Sequence, residues 1–283
     1  MEWKGRRQSQ NIEDRRRVSA GRTGAVGGAG ALIVVLIALF LGVDPRQLLG
    51  SEGLGGGGSS APAELTEADQ AAGEFVAVTL ADTEEIWAGV FQEQLGRRYT
   101  PTTLVLFKEA TGSACGGASQ VTGPFYCPSD KKIYLDTAFF ATLAQSLGAG
   151  GDFAAAYVVA HEVGHHVQDE LGILAKANQV RAQVSEAESN EISVRIELQA
   201  DCLSGIWARA AAQDLGTRQR GDLEEAVNAA RKIGDDTLQR NAGQQPMPHT
   251  FTHGTSEQRS RWFMVGLQSG QMADCDTFST NDL

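Results

Sequence analysis

Residues 153–171, FAAAYVVAHEVGHHVQDEL, place two histidines four positions apart, after an apolar first half and within a polar second half. In an α-helix, positions i and i+4 lie one turn apart on the same face. His161 and His165 can therefore present two imidazoles to one zinc ion, and Glu162 can accept a proton from a water bound to that ion. Motifs this short also recur by chance, so the alternative is a histidine pair on the surface of an ordinary helix.

Two further features of this stretch favour a buried metal-binding helix. The apolar residues 153–160 indicate that the helix enters a core before the first histidine. A glycine in mid-helix lowers helix stability by about 1 kcal/mol relative to alanine. Close packing of the helix against another element explains why position 164 is nevertheless a glycine. His166 lies five positions after His161, about 140° around the helix, so we predict that it is not a ligand and that it either supports a ligand by contacting it or is structural.

A second pair of side chains with helical spacing lies in the stretch IELQADCLSGIWA (196–208). A catalytic zinc ion has three protein ligands and one open position, and we predict Glu197 as the third ligand. Asp201, one turn later, is predicted to accept the free ring N–H of a ligating histidine and so to fix its tautomer. The alternative for Glu197 is a surface salt bridge with Arg195 or Arg209.

The composition is that of an average globular protein, with 42% apolar and 21% charged residues. It excludes a collagen, a wholly disordered chain and a small disulfide scaffold. The net charge of −11 is uneven, because residues 1–43 contain seven Lys and Arg against three Asp and Glu. The rest of the chain has 17 against 32, a net charge of −15. This acidity argues against nucleic acid as the main partner, since phosphate binding needs a basic surface.

Residues 24–43, GAVGGAGALIVVLIALFLGV, are uncharged and long enough to cross a hydrocarbon core of about 30 Å. All basic residues at this end precede them, so the positive-inside rule predicts a cytoplasmic N-terminus. A cleaved signal peptide is the alternative, but no A-x-A site follows. We predict a basic cytoplasmic tail (1–23), a retained single-pass transmembrane anchor in the cell membrane (24–43), a flexible linker (44–64) and one extracytoplasmic domain (65–283).

The four cysteines fit an extracytoplasmic domain, where disulfides persist. They include no C-x-x-C motif, and four cysteines allow three pairings. The favoured pairing joins Cys115 to Cys127 across a short loop rich in Gly and Ser, which leaves Cys202 for Cys275. The alternative is four buried thiols.

The pattern of apolar residues predicts an α+β fold that is predominantly α-helical, with a small early β-sheet. Strands are predicted at 102–107, 123–127 and 132–135, and Pro124 suits an edge strand. The predicted helices are 67–80, 83–95, 137–147, 152–171, 174–187, 190–213, 219–233 and 256–269.

Four stretches together carry a resemblance to a known family. They are GSACGGASQVTGPFYCPSDKKIYLD (112–136), AYVVAHEVGHHVQ (156–168), IELQADCLSGIWA (196–208) and THGTSEQRSRWFMVG (252–266). The chain resembles the putative neutral zinc metallopeptidase family of bacteria, whose members look like gluzincins, with HExxH and a glutamate third ligand. The resemblance implies a zincin-like fold, one catalytic Zn²⁺ and a membrane-anchored domain. It implies no particular substrate.

Roles for individual residues follow from this resemblance. The zinc ligands would be His161, His165 and Glu197, with Glu162 as the general base in peptide-bond hydrolysis. Gluzincins take an oxyanion donor from a downstream histidine or tyrosine. His253 is the candidate here, and His249 is the second choice.

The predicted partner is a protein or peptide substrate, aligned as an added strand along residues 123–127. One alternative is a catalytically inactive zinc-fold module that binds an envelope protein, although such a module does not need Glu162. Another is a cytosolic regulatory protein with a membrane anchor. The sequence does not determine the oligomeric state.

Overall fold

The structure, a computed structural model, describes residues 1–17, 64–119, 122–213, 215–216 and 219–283. The predicted anchor (24–43) and nearly all of the predicted linker (44–64) lie outside the described residues. Among the helices that are described, none is long and apolar enough to cross a membrane.

Helices make up most of the described chain. They are α1 (Glu67–Val90), α2 (Phe139–Gln145), α3 (Asp152–Glu170), α4 (Ile173–Arg181), α5 (Glu186–Gln213), α6 (Asp222–Lys232), α7 (Asp235–Asn241) and α8 (Ser256–Ser269). A π-helical turn (Phe91–Leu95) extends α1, and 3-10 turns lie at Pro248–Thr250 and Met272–Cys275.

Short strands precede most of these helices. They are β1 (Ile12–Asp14), β2 (Thr103–Phe107), β3 (Ala110–Ser113), β4 (Gly116–Ser119), β5 (Phe125–Cys127) and β6 (Lys132–Asp136). Four form one sheet in the order β1-β2-β6-β5, in which only β5 is antiparallel to its neighbour, and β3 and β4 form a separate hairpin. The predicted α+β class is confirmed, and the strand that follows Pro124 lies at an edge of the sheet, as predicted.

The first strand comes from the segment that the sequence analysis placed in a cytoplasmic tail. β1 pairs in parallel with β2, and the backbone N–H of Ser9 donates to the carbonyl of Ala77 in α1 at 2.9 Å. Residues 1–17 are therefore part of the folded domain, whereas the sequence analysis began the domain at residue 65. A three-residue strand has little periodic signal, and its partner is distant in the chain.

One continuous helix, α1, replaces the two helices predicted at 67–80 and 83–95. Asp82, in the predicted gap, is buried, and its carboxylate accepts a hydrogen bond from Arg6 at 2.7 Å. The helix begins after Thr66, whose side chain and Asp69 form both bonds of a capping box. The β3–β4 hairpin and α7 were not predicted, because short elements carry little hydrophobic periodicity.

Glycines allow close contact between the central helices. A Cβ atom at Gly266 of α8 would lie 1.8 Å from the carbonyl oxygen of Cys202 in α5, and one at Gly205 of α5 would lie 2.1 Å from the carbonyl oxygen of Phe263 in α8. Gly164 of α3 also faces α5, where a Cβ atom would lie 3.1 Å from the carbonyl oxygen of Ala200. Close packing thus accounts for a glycine in the middle of the histidine-bearing helix.

Both favoured disulfides are present, Cys115–Cys127 and Cys202–Cys275. The first joins the turn between β3 and β4 to the end of β5. The second joins the C-terminal 3-10 turn to α5, close to Glu197 and Asp201 of that helix.

Gly266→Ala should lower the free energy of unfolding by about 1–3 kcal/mol, because the added methyl group requires the α5 backbone to move away. Gly89→Ala is the matched control, since position 89 is exposed on α1 and nothing lies within 4 Å of the added methyl. That change should leave stability unchanged or raise it slightly. Denaturant unfolding measures both, and equal midpoints would contradict the close α5–α8 contact.

Candidate metal centre

Two helices bring the predicted metal ligands together. His161 and His165 lie one turn apart on α3, and Glu197 faces them from α5. The Glu197 carboxylate lies 3.1 Å from Nε2 of His161 and 3.5 Å from Nε2 of His165. Donor atoms of all three side chains lie within 4.8 Å of one another.

This donor set fits a zinc ion. Tetrahedral zinc with ligands at about 2.0–2.2 Å separates neighbouring donor atoms by roughly 3.3–3.5 Å, close to the distances between Glu197 and the two rings. Each histidine offers Nε2, because its Nδ1 contacts an acceptor at 2.9 Å: Asp201 for His161 and Gln168 for His165. Two imidazoles and one carboxylate leave a fourth position for water or substrate.

Asp201 holds the first ring in place and has partners on two other helices. One carboxylate oxygen accepts the Nδ1–H of His161 and the hydroxyl of Tyr157, both on α3. The other accepts the Nε–H of Arg259 on α8 at 2.9 Å. Burial acts to raise the pKa of Asp201, but the charges of Arg259 and His161 outweigh it and lower that pKa. Asp201 therefore stays ionised and orients the ring.

A chain of amides holds the second ring. The side-chain oxygen of Gln168 accepts from His165, and its NH₂ group donates to the carbonyl of Ile196 at 2.8 Å and to Gln199 at 3.0 Å. Gln199 in turn donates to the carbonyl of Cys275 at 2.9 Å. The position of His165 thus depends on α5 and on the segment that the Cys202–Cys275 disulfide attaches to it.

Glu162 is buried next to the first ligand, and it meets the edge of the sheet. The backbone of Tyr126 in β5 lies next to this carboxylate. Burial raises the pKa of Glu162, against the opposing charges of His165 and His161. The arrangement holds a basic carboxylate between the metal ligands and an edge strand.

The two candidate oxyanion donors differ in position. Nδ1 of His253 lies 3.2 Å from Asp235, and its side chain is 48% exposed. Partial loss of hydration acts to lower the pKa of His253, but Asp235 and the nearby charge of Glu197 outweigh it and raise that pKa. His249 is exposed, and its carbonyl oxygen accepts a hydrogen bond from Asn190. His253 is thus the candidate whose charge is coupled to the ligand set.

His166 takes no part in this cluster. It is buried, with Nδ1 3.1 Å from the hydroxyl of Tyr126 and Nε2 2.7 Å from the carbonyl oxygen of Thr100. Burial lowers its pKa. Both ring nitrogens have a protein partner, as expected for a structural histidine, one of the two roles that the helical geometry predicted.

The acidic surroundings also raise the basicity of the ligand rings. Burial acts against a charged ring, but Asp201 and Glu197 outweigh it and raise the pKa of His161 to about 10. The pKa of His165 is raised too, because Glu197 outweighs burial. A metal ion competes with these protons, so its binding is coupled to proton release.

Several residues of the site were not predicted from the sequence. Arg259, Gln168, Tyr126 and Asp235 all contact a predicted site residue. Gln168 lies three positions after His165, so helical spacing could have indicated it. The others come from distant segments, and no local pattern places them here.

Two histidines one turn apart on one helix and a glutamate on a second form the ligand set that gluzincin-type metallopeptidases use. The chain belongs to the putative neutral zinc metallopeptidase family, which it matches over residues 1–278. This match includes residues 1–17 as well as the metal-binding helices.

Named relatives share this sequence over most of its length. The protein named Uncharacterized protein YpfJ of Escherichia coli K12 is 45% identical over 287 residues, covering 98% of this chain and 99% of YpfJ. Uncharacterized protein Mb2605 of Mycobacterium bovis is 41% identical over 259 residues, covering 87% of this chain and 86% of its own length. No solved structure matches the chain.

Asp201→Asn should weaken zinc binding about 10–100-fold, because a neutral amide orients and polarises His161 less than a carboxylate does. Glu191→Gln is the control, since Glu191 lies on the same helix and is exposed, paired only with Arg195. Competition with a chromogenic chelator measures both affinities, and circular dichroism checks that the variants fold. Equal affinity in Asp201→Asn and the control would contradict this role.

Proposed function

We propose that the chain is a zinc-dependent peptidase that hydrolyses peptide bonds with Glu162 as general base. The observation that carries this proposal is the convergence of His161, His165 and Glu197 beside the buried carboxylate of Glu162. Membership of a zinc metallopeptidase family supports it independently.

Each side chain has a separate part in the proposed reaction. A zinc ion bound by His161, His165 and Glu197 supplies Lewis acidity, which polarises water and the substrate carbonyl. Glu162 accepts a proton from the attacking water and delivers it to the amine nitrogen as the peptide bond breaks. Burial of Glu162 favours the first of these steps, because a raised pKa makes the carboxylate a better proton acceptor.

His253 is proposed to stabilise the oxyanion that forms when water attacks the carbonyl. Its Nδ1 contacts Asp235, which leaves Nε2 available as a donor toward substrate. The raised pKa of His253 favours the protonated ring, and a charged donor stabilises an oxyanion more than a neutral one. The positioning of this ring by α7 supports His253 over His249.

β5 is proposed to align the substrate. Among the described residues it pairs with β6 alone, so its other edge has no strand partner there and could accept an extended peptide. Tyr126 of this strand lies next to Glu162, so the edge runs beside the proposed general base. A peptide added along β5 would then carry its backbone past the metal ligands.

A non-catalytic module that binds an envelope protein is the second candidate. Such a module would need the metal for its fold, but not a buried carboxylate of raised pKa next to the ligands. The cytosolic alternative is disfavoured by two disulfides, which persist outside the cytoplasm. Attachment of the chain to a membrane through residues 24–43 stays a prediction.

Glu162→Gln should retain zinc and lose peptidase activity by a factor of at least about 10³, because glutamine cannot accept the proton. Glu197→Ala should also lose activity, but because it no longer binds the zinc ion. Elemental analysis and cleavage of a fluorogenic peptide library measure both quantities. Full activity in Glu162→Gln would refute the mechanism, and unchanged zinc content in Glu197→Ala would refute the third ligand.

His253→Gln should lower kcat about 100-fold with a smaller change in KM, because a donor to the transition state is lost. His249→Gln is the matched control and should change neither constant appreciably. Steady-state kinetics on one cleaved peptide measures both variants. A larger loss of kcat in His249→Gln would transfer the proposed role to that residue.

A further inference from the structure

One tyrosine of the edge strand β5 contacts the metal-binding helix α3 at two levels. The backbone of Tyr126 lies next to the carboxylate of Glu162. Its side-chain hydroxyl donates to Asp169 at 3.0 Å and lies 3.1 Å from Nδ1 of His166. Glu162 and Asp169 are separated by about 10.5 Å along the helix axis, since each residue of an α-helix rises 1.5 Å. Tyr126 therefore follows α3 for about two turns.

These contacts share one side of α3 with the proposed general base. Glu162, His166 and Asp169 have the spacing i, i+4 and i+7, which places them on the same face of a helix. The two histidine ligands come one position earlier and lie about 100° around the helix. The height of β5 along this face therefore sets the position of the strand relative to Glu162.

Both partners of the Tyr126 hydroxyl are held by further contacts. His166 is buried, and its Nε2 donates to the carbonyl of Thr100 at 2.7 Å. The carboxylate of Asp169 lies 3.4 Å from Nζ of Lys131, in the turn that joins β5 to β6. Strand and turn are thus attached to α3 at the same carboxylate.

The other two side chains of β5 lie on the opposite face of the sheet. Phe125 stacks on Tyr134 of β6, with ring centroids 5.2 Å apart, and Cys127 forms a disulfide with Cys115. Successive side chains of a strand alternate between faces, and Tyr126 packs in the core that contains the helices. Tyr126 is therefore the side chain through which this three-residue strand is attached to α3.

We propose that Tyr126 and Asp169 are positioning residues, which hold β5 at a fixed height along α3 so that a peptide paired with β5 meets Glu162 in one register. This inference rests on the proposed peptidase function and on substrate alignment along β5. Height matters because successive residues of an extended chain are only about 3.3 Å apart. A displacement of about 1 Å at a reacting group can lower a rate about 100-fold.

The test compares the native chain with Tyr126→Phe, which removes the hydroxyl and keeps the ring. Tyr134→Phe is the matched control, because it removes a tyrosine–aspartate hydrogen bond of 2.7 Å, to Asp130, from the adjacent strand on the other face of the sheet. Asp169→Ala removes the acceptor of the Tyr126 hydroxyl, whereas Asp169→Asn keeps an acceptor oxygen at that position.

Two readouts do not depend on peptide cleavage. The first is hydrogen exchange of the peptides that contain β5, measured by mass spectrometry. The second is the affinity of the zinc-loaded protein for two hydroxamates, measured by calorimetry. Acetohydroxamate offers a metal-binding group alone, whereas pentaalanine with a C-terminal hydroxamate adds an extended chain that can pair with β5. The ratio of the two dissociation constants therefore reports alignment along the strand.

The native chain should bind the peptide hydroxamate at least about tenfold more tightly than acetohydroxamate. Tyr126→Phe and Asp169→Ala should each lower this preference severalfold and speed the exchange of β5, and Asp169→Asn should have a smaller effect. Tyr134→Phe should keep the native preference. The affinity for acetohydroxamate should stay within about twofold in all variants, because the metal ligands are unchanged.

The proposal is overturned if Tyr126→Phe keeps the native preference, even if β5 exchanges faster, because a role in stability alone changes only the exchange. It is also overturned if Tyr134→Phe loses the preference equally, or if the native chain binds both hydroxamates equally. A native chain that prefers the peptide hydroxamate in a Tyr126-dependent way but cleaves no peptide would support the positioning role and refute the peptidase mechanism alone.

Discussion

The buried charge of Asp201 is the constraint on which the rest of the structure depends. An ionised carboxylate in a protein interior loses several kcal/mol of hydration, so it must be paired. Arg259 from α8 provides the opposite charge, and His161 on α3 provides an N–H. Three helices must therefore meet at the Asp201 carboxylate before its charge is stable. The same contact fixes the tautomer of His161, a predicted metal ligand.

The metal site then depends on how closely these helices approach. The ligands come from α3 and α5, so the separation of the two helices sets the distance from Glu197 to the histidine rings. Gly164 against Ala200 sets that separation, and Gly205 and Gly266 allow α8 to come close enough for its arginine to reach Asp201. The packing of small residues thus determines the geometry of the polar site.

The sheet has two edges with different surroundings. β1, from the N-terminal segment of the chain, forms one edge, and Arg6 of the same segment pairs with Asp82 in α1. β5 forms the other edge beside Glu162. The proposed peptidase needs an open edge at β5 only, and the opposite edge is a strand of three residues, which is too short to pair well with another chain.

The sequence by itself determined the features that lie within one helix or one short loop. Spacing of four residues predicted His161 with His165 and Glu197 with Asp201, since helical geometry places such pairs on one face. The edge position of β5, both disulfides and the mainly helical class were also predictable. The oxyanion donor and the membrane attachment stay predictions.

Only the tertiary structure decided the rest. Arg259 reaches Asp201, and Tyr126 reaches Glu162, across contacts between segments that are distant in the chain. The position of residues 1–17 on the domain also depends on contacts between distant segments, because β1 is recognisable as a strand only beside β2. Local periodicity records which face of an element is buried, but the partner of a buried charge or a strand edge depends on the packing of the whole domain.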